Sequence, residues 1–283
     1  MNVRAYAFYP LLASTTHLTQ HLSSLTIFIT AFIGIYTNRL IPSALALSSS
    51  LVTILAYIFW DFTSHQSKLV NIPSTVKSAG LIFFTLLGLS PVLKSLTKST
   101  TSDSIWALSV GLFVVEIMAH DYSSASWKNI RSPHPSLFYL TCRFPTSLSL
   151  NLAILSSVVL ASRLPSTTTV FSYLLFSVQW FALFPLFRRY LLQYNPIAFH
   201  TLTVILFLAG VACVAWIGKG NWLAGAVWGG VVGGGVGIGC PLGLIWLQKY
   251  KKYPLPSSGE RLIFSEIHGP WDVARPQFKH AST

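Results

Sequence analysis

Long apolar runs separated by short polar stretches make up most of this chain. A helix needs about 20 mainly apolar residues to cross the hydrocarbon core of a bilayer. Eight runs approach that length: Leu22–Thr37, Pro42–Trp60, Ala79–Leu93, Ser104–His120, Ser147–Ser162, Thr169–Phe187, Ile197–Ile217 and Trp222–Leu247. They are continuous rather than alternating, so the pattern predicts helices and not a barrel. The expected fold class is all-α: a polytopic integral membrane bundle of about eight transmembrane helices. Eight such spans take up about 160 residues. What is left makes short loops and a tail, with no room for a second soluble domain of ordinary size. The chain therefore divides into a short segment over 1–21, a membrane domain over 22–247 and a basic tail over 248–283. Pro10 and the polar run Ser14-Thr15-Thr16-His17 interrupt the first apolar stretch. The run from Leu22 is thus expected to be an uncleaved first span, not a signal peptide.

Several spans are rich in Ser and Thr, which suits helices packed on other helices, where hydroxyls find backbone or neighbouring acceptors. The last span holds nine glycines within the nineteen residues Gly225–Gly243. Several of them recur four apart, among them Gly225, Gly229 and Gly233. That spacing predicts a smooth face for close helix contact; a flexible hinge or a lipid-accommodating groove is the alternative. It is not a dinucleotide fingerprint, because no complete GxGxxG is present and no strand precedes it.

Composition narrows the class further. Only 9% of residues are charged, against about 25% in a soluble domain, which excludes an ordinary soluble enzyme. The net charge of +12 does not imply nucleic acid, because basic residues hold membrane topology from the cytosolic side. With both ends in the cytosol, Arg39, Lys94, Lys98, Arg163 and Lys219 fall on the far side, and the other fourteen of the nineteen Lys and Arg residues face the cytosol. That bias predicts cytosolic termini, and the alternation predicts eight spans. Cys142, Cys213 and Cys240 form no CxxC pair, so no disulfide framework or zinc site is expected from them.

Candidate chemistry is sparse. Glu116 and His120 lie one turn apart on the fourth span, a pair suited to structural pairing, to a metal or to a proton relay. Two ligands without a third make a weak metal signal, and no metal or cofactor is expected. Asp121 follows at the end of the span, and Asp61 ends the second span within reach of Lys68 or Lys77. Asn151, inside the fifth span, is expected to hydrogen-bond between helices. Arg163, at its end, is expected to anchor at the boundary. In the tail, Lys249-Tyr-Lys-Lys252 forms a cytosolic stop, and His268, Trp271 and Asp272 in Ile267-HGPWDVA-Ala274 offer a docking element; a tail folded back on the cytosolic loops is the alternative. No GxSxG, HExxH or P-loop is present, and only seven acids leave few general acid–base pairs. A small-solute or lipid transporter with Glu116 and His120 as coupling site is the alternative function; it should show internal symmetry, and no repeat is seen.

Three stretches carry a family resemblance: Ser90–Val110 (SPVLKSLTKSTTSDSIWALSV), Ser147–Pro165 (SLSLNLAILSSVVLASRLP) and Ile267–Ala274, joined by Trp60-Asp61 and Asp121-Tyr122. Together they resemble the PIG-C family, a membrane subunit of phosphatidylinositol N-acetylglucosaminyltransferase. The resemblance implies an endoplasmic reticulum protein in the complex that moves N-acetylglucosamine from UDP-GlcNAc to phosphatidylinositol on the cytosolic face, the first step of GPI-anchor synthesis. It also implies that the chemistry belongs to a PIG-A-like subunit. This chain would then be a non-catalytic partner of that subunit and of other small membrane subunits, with phosphatidylinositol a candidate ligand.

Overall fold

A computed structural model describes residues 8–63, 72–95, 101–120, 122, 146–218 and 220–248. Among these residues the chain is helical and without strands. The helices are α1 (Phe8–Tyr36), α2 (Pro42–Thr63), α3 (Ile72–Ser95), α4 (Ser102–Ala119), α5 (Thr146–Ala161), α6 (Thr167–Val178), α7 (Phe184–Tyr194), α8 (Pro196–Ile217), α9 (Trp222–Gly229) and α10 (Cys240–Gln248). Turns of π-helix over Gln179–Leu183 and Gly230–Gly239 join α6 to α7 and α9 to α10. The result is eight helical rods. Seven are long and apolar enough to cross a membrane; the fifth, α5, is apolar but shorter.

The first rod differs from its expected bounds. Among the described residues it already runs from Phe8, ahead of the expected start near Leu22. The polar run expected to interrupt it is absorbed, because the Thr15 and Thr16 hydroxyls both donate to the Leu12 carbonyl, at 3.0 and 2.8 Å. Most other hydroxyls also bond back to their own helix, as Ser23 does to Thr19 and Ser156 to Leu152, both at 2.8 Å. At its far end α1 stops on Asn38, the one described non-glycine residue with positive φ (56°). The Arg39 N–H closes the turn on the Gly34 carbonyl at 2.8 Å, as in a left-handed C-cap.

Both π-turns precede a proline. Pro185 has no N–H for the Phe181 carbonyl, and its ring crowds that carbonyl. The helix responds with a wider turn, in which the Phe184 N–H bonds the Gln179 carbonyl. Likewise Pro241 offers no N–H to the Gly237 carbonyl; the Thr15 hydroxyl of α1 reaches that oxygen at 3.1 Å.

The core lies between α1, α4, α5 and α6. Phe28 sits at its centre, fully buried, with ring centroids of Phe181, Tyr173 and Phe176 at 4.6, 4.9 and 5.5 Å. On the other side α1 packs on α8, on the glycine-rich turn and on α10. The rod from α9 approaches α8 through the expected glycine face. A Cβ on Gly225 would lie 2.8 Å from the Val211 carbonyl, and one on Gly233 2.7 Å from the Phe207 ring. The helices α2 and α3 pack on α6 from outside, and α2 has no buried residue. Large apolar side chains along α2 and α3 stay exposed, as the lipid-facing wall of a bundle requires.

Candidate functional site

The direction of each rod decides which polar residues meet. The start of α1, the ends of α2, α4 and α7 and the start of α8 share one end of the bundle: His17 lies beside Phe199 (centroids 5.0 Å apart), and Thr63 bonds Tyr190 at 2.6 Å. The Arg39 guanidinium marks the opposite end, where it donates to the carbonyls of Ile217 and Trp216 at the C-terminus of α8, at 3.0 and 3.3 Å. A cation there also complements the helix dipole.

A polar cluster forms at the first end. The pitch of α4 sets Glu116 and His120 on one face, α1 brings His21, α5 brings Ser149, and Tyr122 follows just beyond α4. Glu116 Oε1 lies 3.1 Å from His21 Nε2 and 3.7 Å from His120 Nδ1. The Ser149 hydroxyl donates to Glu116 Oε1 at 2.8 Å and lies 3.0 Å from His120 Nδ1. His21 Nδ1 lies 2.8 Å from the Tyr122 oxygen, and the Tyr122 hydroxyl donates to the Ile117 carbonyl at 2.9 Å. The two imidazoles stack, with centroids 4.0 Å apart and planes 16° apart. Glu116 is 2% exposed, His21 4% and His120 20%. Burial holds the Tyr122 phenol above its ordinary pKa; the Glu116 carboxylate raises it further, and Arg188 opposes the shift. Arg188 points its guanidinium over the Phe184 ring at 5.5 Å and has no carboxylate partner among the described residues.

A second feature is a cleft of about 690 Å³ between α2, the α6–α7 rod and α8. Its walls include Ala56, Tyr57, Trp60, Gln179, Leu183 and Leu206. They are apolar apart from a few hydroxyls and the Gln179 amide. Gln179 Nε2 donates to Ser50 at 2.9 Å, while the buried Gln179 Oε1 and Tyr57 hydroxyl have no hydrogen-bond partner among the described residues. The π-turn places Gln179 toward the cleft and sends the Trp180 indole N–H to the Ser24 carbonyl at 3.0 Å.

The expected site residues therefore separate. Glu116 and His120 come together, with His21 as an unforeseen third member. His21 lay just ahead of the expected first span, and only the direction of the rods places it against α4. Asp61 is half-buried in the last turn of α2. Asn151 is exposed on α5, and its side chain makes no hydrogen bond to a described residue, so the expected interhelical bond is not seen among them. Arg163 is half-buried and occupies the turn between α5 and α6, its backbone N–H on the Leu160 carbonyl at 3.0 Å. Asp121, His268, Trp271 and Asp272 lie outside the described residues. The Glu116 cluster sits at the end of α4, beside the first turn of α5.

The family model for phosphatidylinositol N-acetylglucosaminyltransferase, GPI2, matches residues 1–272. The chain belongs to this family. GPI2-family relatives align along nearly the whole length. A phosphatidylinositol N-acetylglucosaminyltransferase GPI2 subunit from Schizosaccharomyces pombe is 37% identical over 281 residues, covering 98% of this chain and 78% of its own. A relative from Dictyostelium discoideum, named for the same transferase, is 32% identical, covering 96% and 71%. A Homo sapiens relative, also named for that transferase, is 27% identical, covering 97% and 83%. No solved structure matches the chain.

Proposed function

We propose that this GPI2-family chain is a multispanning, non-catalytic subunit of the endoplasmic reticulum complex that transfers N-acetylglucosamine from UDP-GlcNAc to phosphatidylinositol. The family match over residues 1–272 carries the proposal. The sparse acid–base chemistry of the chain supports leaving catalysis to a PIG-A-like subunit. In this role the bundle seats the acceptor lipid, and the cleft beside α2 takes its acyl chains. The Glu116 end faces the cytosol, where the tail docks the catalytic subunit through His268, Trp271 and Asp272. Replacing Trp271 and Asp272 with Ala should release that subunit in a pull-down, and undiminished recovery would remove the docking role.

The decisive experiment uses microsomes depleted of this chain, assayed for transfer of labelled N-acetylglucosamine to endogenous phosphatidylinositol. Loss of the labelled glycolipid, restored by re-expression, is the expected result. Undiminished transfer on depletion would defeat the proposal.

A further inference from the structure

Glu116 is a carboxylate almost fully removed from solvent inside an apolar bundle. Burying such a charge without a cation beside it costs several kcal/mol or more. The protons of the cluster can be traced one at a time. The Tyr122 hydroxyl has a single proton, which goes to the Ile117 carbonyl at 2.9 Å. The contact of 2.8 Å between Tyr122 and His21 Nδ1 is then made by the imidazole N–H, with the phenol oxygen as acceptor. The Ser149 hydroxyl gives its proton to Glu116 Oε1. The contact of 3.0 Å between Ser149 and His120 Nδ1 is therefore also made by an imidazole N–H. Both rings spend their Nδ1 proton on an outer partner, and a neutral ring so fixed has a bare Nε2. His21 Nε2 faces Glu116 Oε1 at 3.1 Å. At that distance either a second proton on His21 or a metal ion has to stand between the two atoms. The second carboxylate oxygen, Glu116 Oε2, is buried and has no hydrogen-bond partner among the described residues.

We propose that His21, Glu116 and His120 form a binding site for a divalent transition-metal ion of the zinc type. One ligand atom from each of the three residues lies within 4.8 Å of the others. Two imidazoles and a carboxylate are a common zinc donor set. Tyr122 supplies the outer hydrogen bond that fixes the tautomer and orientation of His21, as is usual in such sites. The stacked rings do not aim their lone pairs at one point, so closure on the metal requires the His120 imidazole to turn and give up its contact with Ser149. Its position allows this: His120 caps α4 with extended backbone (ψ 134°) and keeps 20% of its side chain exposed. The bound ion would staple α1 to α4, leaving a fourth coordination position for water. This site is independent of any role in glycosyl transfer.

The test is elemental analysis of the full chain purified in detergent after equilibration with Zn²⁺ and removal of free metal. Co²⁺ substitution of the same sample, read by its visible absorption, reports the geometry. About one zinc per chain is expected, with the strong visible band of four-coordinate Co²⁺. Zinc content should fall at least about tenfold in His21→Ala and Glu116→Gln. Wild-type protein that holds no zinc and gives no Co²⁺ band would overturn the site and leave a shared proton joining His21 to Glu116. Zinc kept at full content in both variants would also overturn it, by placing the metal elsewhere. The wild-type measurement decides the matter even where a variant fails to fold.

Discussion

At the scale of single residues, Ser149 is the hinge of the polar cluster. It donates to Glu116 and lies within hydrogen-bond distance of His120. Ser149→Ala leaves both groups short of a partner inside the bundle and should cost about 1–3 kcal/mol, the desolvation of an unmet polar group. A lower thermal midpoint in detergent, followed by intrinsic fluorescence, checks this; an unchanged midpoint would mean that the cluster contributes nothing to the fold. Half of this cluster was legible in the sequence. The i,i+4 pair of Glu116 and His120 follows from helix pitch alone. His21 did not, because its partner stands 95 positions away and only the packing of rods sets that contact. The placement of Asn151 was not legible for a related reason. A lone amide on a helix whose apolar and hydroxyl residues are mixed on every side has no phase to say whether it faces a neighbour or the outside.

At the scale of elements, the rod from α9 to α10 makes a sharp test. Gly225 packs against the α8 backbone, whereas Gly234 has no atom from beyond its own stretch of helix within 4 Å of where its Cβ would be. Gly225→Val should therefore destabilise by about 1–3 kcal/mol or more, as overpacking does, and Gly234→Val should be near neutral. Equal midpoints for the two variants would show that the row of Gly225, Gly229 and Gly233 is not the packed face. The cleft beside α2 makes a second test. Ala56→Trp fills part of the space and should raise the apparent KM for phosphatidylinositol about tenfold, equivalent to about 1.4 kcal/mol, with the complex still assembled. An unchanged KM would place the lipid elsewhere. Span positions were readable because length and apolarity alone define them. The cleft was not: Pro185 is visible in the sequence, but whether a proline kinks, widens or ends a helix depends on what packs beside it.

At the scale of the molecule, eight rods return the chain to the side on which it began. The proposed topology puts that side in the cytosol, following the charge bias. With a single cysteine placed at Thr37 or at Tyr194 in a chain lacking its native cysteines, an impermeant maleimide added to sealed microsomes should label only Tyr194→Cys. Labelling at Thr37→Cys alone would invert the orientation, and with it the meaning of the Glu116 end.

The pairing of α1 with α8 sets a schedule for biosynthesis. The rod α1 packs on α8, which is made six rods later. At about 5–20 residues per second, Glu116 is synthesised about 5–20 s after His21, and α8 begins about 10–35 s after it. Through that interval α1 waits with Gln20, His21, Ser23 and Ser24, all buried in the finished bundle, still lacking their neighbours. A helix so polar on one side is a poor lodger among lipid tails. The newborn chain is therefore most open to capture by quality control before its last two crossings are complete, and loss of either of them should shorten the lifetime of everything made earlier.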